Sequence, residues 1–302
     1  VLGAKPPVSE TALCQDHHMV RLAAILLAAV LLLSDSSGLL GPTSEENAVQ
    51  AVSTWRTSGA AEIWHEGFVP LEDLRKMSRM VSEHIDYEWH GWVVAGALPT
   101  PPAEAQVRWD DGSAMRVPVI APREALMALS PWPENMTFPD NKQYKLTGAT
   151  FTTMRLKTSR GMATVPAWRL HFSNLPGPID YVAVDQKAIG TIEDAVGDHL
   201  PGDVSDFEVL DERTLLVNYE YGVCVGEEPF DVTVRASERP DVVVLGLEMP
   251  YRGYGICAGV GASGQDVIRL NEPLGDRVVL DEMSRLPVLC QRAQNTCHAR
   301  NG

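Results

Sequence analysis

Glu83, His84, Asp86, Glu88 and His90 place two imidazoles and three carboxylates in one short stretch of the chain. In an extended segment, positions two apart share a face, so His84, Asp86, Glu88 and His90 would project together. Two imidazoles with two carboxylates suit a divalent metal, and a carboxylate beside a histidine suits proton transfer. The competing reading is a solvent-facing polar edge. Met77 to Ile85 reads as the end of a helix, which breaks the alternation, and Tyr87, Trp89 and Trp92 look like packing residues on the opposite face. The polar edge is the expectation, and no catalytic, cofactor-binding or metal-ligating residue is assigned.

Other constellations carry less chemistry. Asp198, Asp203, Asp206, Glu208, Asp211 and Glu212 offer hard oxygens suited to calcium, but without the spacing of an EF-hand. They read as a solvated face. Arg155, Lys157 and Arg160 form a small basic island, read as a charged strand face. Gly259, Gly261 and Gly264 match G-x-G-x-x-G, yet the run feeds a β-like segment, Gln265 to Leu270, where a dinucleotide site needs a helix N-terminus. Neither G-x-S-x-G nor H-E-x-x-H occurs. Asn135, Met136 and Thr137 make a glycosylation sequon that matters only in a glycosylating host. Trp89, Trp92, Trp109 and Trp132 could form an aromatic platform for a sugar, although core packing accounts for most tryptophans.

The elements that must position these residues follow a leader-like segment. Arg21 precedes twelve apolar residues, Leu22 to Leu33, and small and polar Ser34 to Gly38 come next. That is the layout of a signal peptide. As a helix the run reaches about 18 Å at ~1.5 Å per residue, short of a hydrocarbon core about 30 Å thick. Export with cleavage is therefore expected, with an uncleaved anchor or a buried core helix as alternatives. Met19 is the expected start, making residues 1–18 a non-native extension and 19–37 the signal peptide. No cysteine lies between Cys14 and Cys224, so lipid attachment after the run has no candidate.

Losing the leader removes Cys14 and leaves Cys224, Cys257, Cys290 and Cys297, an even set compatible with two disulfides in an oxidising compartment. Three pairings are open. Cys224 with Cys257 is favoured because both lie in one β-rich region, where closing the loop would stabilise it by roughly 3 to 4 kcal/mol. His298 beside Cys297 is too isolated for a zinc site.

A chain of 302 residues with 45% hydrophobic content can fill a real core, which excludes wholesale disorder. Acidic residues outnumber basic ones 40 to 25, a formal charge of −15 that repels phosphate backbones and anionic lipid. No nucleic-acid partner is expected, and a membrane only through the leader. Helices are expected from Thr43 or Ser44 to about Thr57, from Pro70 to Val81 along a stripe of Leu71, Leu74, Met77 and Met80, and from Pro122 to Leu129. Val107 to Val119 reads as a hairpin around Asp110, Asp111 and Gly112. Strands are expected over Tyr144 to Leu156, Ala163 to Phe172 and Tyr181 to Val184. Further strands follow at Phe207 to Leu210, Thr214 to Val225, Phe230 to Ala236, Val242 to Met249, Val267 to Leu270 and Val278 to Leu280. The fold class is α+β: an N-terminal α+β region with hairpins over 44–195, then a disulfide-pinned, mostly antiparallel, sandwich-like β domain over 205–290 and a tail over 291–302. The polar stretch from Ala195 to Ser205 marks the boundary.

Trp55 with Ser58-Gly59-Ala60-Ala61, Trp64, Gly67, Pro70-Leu71, Leu98-Pro99 and Val107-Arg108-Trp109, then the run from Thr158 to Trp168, together resemble secreted proteins of actinobacteria such as Streptomyces. Cys224, Val232 to Val234, Cys257, Val267 to Leu270, Pro273 to Arg277 and Asp281 extend the likeness over nearly the whole mature chain. The proteins resembled are exported or envelope-associated without assigned activity, and some are lipoproteins, from which this chain departs. The resemblance implies a location and no catalytic residues. Read physically, Arg160 beside Gly161 can brace a turn, and Asp276 can pair with Arg277 around Gly275. Convergence of these phrases on one cleft would instead argue for a ligand site. The expectation is an exported, non-enzymatic envelope or extracellular protein with a binding or structural role, its partner a cell-wall component or another envelope protein. The alternatives are a secreted hydrolase with an unmotifed acid/base site and a cell-wall glycan- or peptide-binding module.

Overall fold

Acidic Glu45 and Glu46 in the first turn and Arg56 in the last complement the dipole of helix α1, Ser44–Thr57. Ala48, Ala51, Val52 and Trp55 recur at helical spacing and are buried. The helix gives way at Gly59, which takes φ 88, and α2, Ala60–Glu66, starts directly after it. A computed structural model describes residues 44–86, 90–133, 136–225, 231–249 and 259–289. The chain divides into two units, Val1–Glu46 and Asn47–Gly302, and the expected leader over 19–37 lies wholly outside the described residues. Cys257, Cys290, Cys297, Glu88, Trp89, Asn135 and the tail over 291–302 also lie outside them.

The helix expected over Pro70 to Val81 is not formed. Pro70 bridges Thr158, Arg75–Met77 becomes strand β1, and only Arg79–Ser82 is helical, as α3 behind the Ser78 N-cap. Backbone pairing overrides the apolar stripe, because β1 is added to β7, Ile179–Val182, through Arg75↔Tyr181 to Met77↔Ile179. Downstream, local signals hold. Gly112 at φ 86 turns the hairpin of β3, Glu104–Trp109, and β4, Ala114–Pro118. Pro122 opens α4, Pro122–Leu129, with Glu124 accepting the Ala121 N–H at 2.6 Å.

The first sheet is built on the long hairpin β5, Gln143–Thr158, with β6, Gly161–Phe172. The short β2, Gly91–Val94, runs parallel to the start of β5. Strand β6 pairs with β3 near its beginning and with β7, Ile179–Val182, near its end. After α5, Ile192–Val196, come β8, Val204–Asp211, and β9, Thr214–Cys224. Strands β10, Thr233–Glu238, β11, Val242–Glu248, β12, Gly259–Arg269, and β13, Val278–Asp281, complete the described elements.

They form two further sheets, β10-β11-β13 and β12-β9-β8. The chain is α+β with a β-rich C-terminal region. Pairing there is not purely antiparallel, since β11 and β13 run parallel from Val242↔Val278 to Leu245↔Asp281.

Strand β11 reads as an unbroken apolar run because both its faces are covered. Val242 and Val244 pack with α1 and Ile192, while Val243 and Leu245 pack with Phe207, Leu215, Val217 and Ile268. The Gly259 to Gly264 run lies within β12 itself. Gly264 pairs with Tyr219, whose ring would sit 2.6 Å from any added β-carbon. The stretch 195–205 lies inside the second unit, where Ala195 and Val196 pack against α1.

Candidate functional site

The described members of the 83–90 group do not share a site. Glu83 is exposed and pairs with Arg79 one helical turn back at 2.6 Å. His84 Nδ1 lies 2.6 Å from the Met80 carbonyl oxygen. The Tyr144 hydroxyl donates to the His84 carbonyl at 2.9 Å and accepts the Asp86 N–H at 2.8 Å. His90 stacks on the Tyr144 ring at 4.9 Å, with its Nδ1 3.6 Å from Asp86. The Glu83 and His84 side chains are thus tied within the turn of α3 and only Asp86 and His90 meet, and among the described residues no three His, Cys, Asp or Glu are placed to hold a metal.

The other candidates separate in the same way. Asp206 accepts from Asn218 across the β8–β9 pair, the Asp211 carboxylate accepts the Arg213 N–H at 2.8 Å, and Asp198 is exposed. The basic island divides too. Arg155 makes a bidentate pair with Asp110 at 2.6 and 2.5 Å, which holds the Asp110 carboxyl below its ordinary range. Trp92, Trp109 and Trp132, the described tryptophans of that set, do not form a platform. Trp92 is buried against Tyr144 and Phe172, Trp109 is buried, and Trp132 packs near Phe138 with ring centres 5.9 Å apart.

What does converge is a set of residues drawn from positions 64 to 289. They line a cleft of about 410 Å³. One part of the lining is the β5–β6 turn, which Gly161 at φ 98 allows. Thr158 is its hub. Its Oγ1 accepts from Trp109 Nε1 at 2.9 Å and from the Arg160 N–H at 3.2 Å, and donates to the Gly161 carbonyl at 2.8 Å. Ser159 Oγ donates to the Trp64 carbonyl at 2.6 Å, and the Ser159 N–H donates to Val69. The Arg160 guanidinium lies 3.7 Å over the Trp109 ring and donates to the Glu66 carbonyl at 2.9 Å and to Ser113 Oγ at 2.8 Å. Arg160 therefore braces the turn against α2 and the β3–β4 hairpin.

The loop from Leu274 to Val279 supplies a second part of the lining. Arg277 was expected to pair with Asp276, but Asp276 is exposed and Arg277 bonds Glu238 at 2.9 Å. It also donates to the carbonyls of Glu272 and Pro273, both at 2.7 Å. Glu238 in turn accepts the Asn271 and Glu272 N–H groups. Burial alone would raise the Glu238 carboxyl, yet these N–H donors and Arg277 hold it below its ordinary range. The pairing follows from reach: the nearly buried Arg277 meets a nearly buried partner on β10, whereas Asp276 stays in solvent.

Behind this loop, Asp281 ties its own turn to the start of β8. One carboxylate oxygen accepts the N–H groups of Asp203 and Val204, both at 3.0 Å. The other accepts those of Met283 at 2.9 Å and Ser284 at 2.6 Å. Next to it, burial first, and then the charges of Asp281 and Glu282, push the Asp203 carboxyl up to about 6. Glu282 is buried with Arg235, 2.8 Å away.

Trp64, Thr158 to Gly161 and Leu274 to Arg277 had stood out only as recurring phrases. Their assembly in one cleft meets the condition under which they argue for a ligand site. Leu71 belongs to one of those phrases as well, whereas Phe207 and Val288 carried no signal of a site, since an apolar residue lining a cleft reads like one filling a core. A second cavity, of about 400 Å³, is lined by residues including Trp132, Phe138 and Arg123. Among the described residues no helix is long and apolar enough to cross a membrane. No protein-family model, curated protein or solved structure matches the chain.

Proposed function

We propose that this chain is an exported envelope or extracellular protein that acts by binding, and that the cleft lined by Trp64, Ser159 and Leu274 is its ligand site. The observation that carries the reading is convergence. Segments far apart in sequence are fastened by buried hydrogen bonds around a volume within the range of about 300–1,000 Å³ typical of small-molecule sites. The polar groups there hold the walls rather than forming a nucleophile and base pair, so recognition is a better use of this geometry than turnover.

Export is supported by the leader-like run at Leu22 to Leu33 and by the even cysteine set. Strand register sets Cys224 opposite Gly259, two residues along from Cys257, in keeping with a Cys224–Cys257 bridge pinning a sandwich-like β region and leaving Cys290 to pair with Cys297. N-terminal sequencing of the secreted product with thiol counting tests this half. Cleavage between Ser34 and Gly38 with no free thiol supports it, and recovery only from cytosol with free thiols overturns it.

The binding half is tested by native mass spectrometry of the secreted protein after exposure to envelope extract. A bound small molecule that Leu71→Trp excludes, with near-UV circular dichroism unchanged, supports it. Equal retention by both proteins, or none by either, overturns it.

A further inference from the structure

The cleft's lining is divided chemically. Trp64, Leu71, Phe207, Leu274 and Val288 give it apolar walls, while Lys157, Arg160, Arg277 and His65 bring basic groups and Asp276 is the one carboxylate among them. This contrasts with the chain as a whole, where acids exceed bases by 15. The cations are not equivalent. Arg277 is neutralised by Glu238. Arg160 is not, because its two guanidinium hydrogen bonds end on uncharged oxygens, Glu66 O and Ser113 Oγ. Its charge also acts on Asp111, which the N–H and hydroxyl of Ser113 hold at 2.7 and 2.6 Å, so among the described residues Arg160 is offset at a distance but not ion-paired. Among the described residues two of its five N–H groups are used, leaving donors for an anion. Beside it, Lys157 adds a second basic side chain, on a backbone N–H bonded to Glu72 at 2.6 Å.

Resting on the reading of the cleft as a ligand site, we infer that its ligand is an anionic amphiphile, an apolar chain ending in a carboxylate, with the chain against Trp64, Phe207 and Leu274 and the acid at Arg160 and Lys157. A neutral apolar molecule would fill the walls but remove water from a guanidinium without giving it an oxygen, which is costly. A carboxylate supplies that oxygen, and a charge-assisted pair with a guanidinium is the strongest hydrogen bond available there. The same head chemistry could come from a free fatty acid or from an anionic bilayer. The net charge of −15 repels the bilayer, which favours the free molecule.

Calorimetric titration with laurate and with dodecanol, plus sedimentation with phosphatidylglycerol vesicles, tests this. Laurate is expected to bind roughly tenfold or more tightly than dodecanol, with an affinity that falls as salt is raised. Lys157→Met and Arg160→Gln should each shrink that preference, by weakening laurate binding and sparing dodecanol the cost of desolvating a cation. Lys157→Met carries the test if loss of the Arg160 brace unfolds the protein. Equal binding of the two compounds overturns the anionic head and leaves the binding cleft standing. Binding of neither, in a protein that still retains a molecule from envelope extract, overturns the amphiphile, and binding of nothing at all overturns the cleft reading itself. Co-sedimentation with vesicles but no response to free laurate overturns the soluble ligand.

Discussion

Glu83, His84, Asp86 and His90 are packed into a few consecutive positions, yet Glu83 turns to Arg79, His84 to the Met80 carbonyl and His90 to the Tyr144 ring. Trp64, Ser159, Arg160 and Arg277 come from the beginning, middle and end of the described chain and line one cleft. The difference lies in what fixes each set. Short-range bonds along α3 hold Glu83 and His84 at the surface, while His90 packs half-buried on Tyr144 beside Asp86, so proximity in sequence does not gather the group into one site. Pairing between strands fixes the second, and every wall of the cleft is tied by a bond that spans many residues, such as Trp109 to Thr158 or Asp203 to Asp281. Chemistry-bearing residue types are therefore a weaker guide here than long-range ties.

If that contrast is right, cutting a tie behind the cleft is costly. Asp281→Ala would orphan the N–H groups of Asp203, Val204, Met283 and Ser284 around a buried position. A loss of about 3 to 5 kcal/mol is expected in denaturant unfolding, because unsatisfied buried donors each cost on the order of 1 to 3 kcal/mol and water recovers only some of them. A loss below about 1 kcal/mol would show that this wall is not held by Asp281. Thr158→Val is milder. It strips the Trp109 indole N–H of its acceptor and the Arg160 N–H of one, and should cost about 1 to 3 kcal/mol on the same assay.

Asp203 sharpens the comparison through pH. Its folded pKa, about 6, stands above the ordinary 3.8. The folded state thus binds this proton more tightly than the unfolded state. The contribution is fully present below about pH 4 and is lost as pH rises through 6. Asp203→Asn keeps the neutral form at every pH. It should leave stability unchanged near pH 4 and raise it by about 1 kcal/mol at pH 8, the half-buried carboxyl being partly screened by solvent. Equal effects at both pH values would place the shift elsewhere.

The same contrast explains which parts of the fold were legible. Helices α1 and α4 and the β3–β4 hairpin carry their signals locally, in Glu45 and Glu46, in Pro122 and Glu124, and in the Asp111-Gly112 turn. Helix α2 escaped notice because it starts behind a left-handed Gly59 without a side-chain cap. The Pro70 to Val81 stripe misled because Leu71 and Met77 answer to β5 and β7, far along the chain. The parallel pairings of β2 with β5 and of β11 with β13 depend on crossovers that no short window contains. For the cleft, individual phrases stood out, but only the strand registers show that they meet.

The smallest expected effect probes the 83–90 group. Glu83 and Arg79 form an exposed pair one helical turn apart, a geometry that contributes about 0.3 to 0.5 kcal/mol. His84 is exposed and bonded only to a carbonyl of its own turn. Glu83→Ala with His84→Ala should therefore change stability by no more than about 0.5 kcal/mol, the ordinary range for surface substitutions. Zinc or calcium added in excess should shift the melting temperature of wild type and variant alike, or neither. A metal-dependent rise in the wild type alone would mean that Glu83 and His84 meet a further ligand, and proximity in sequence would then have been the better guide after all.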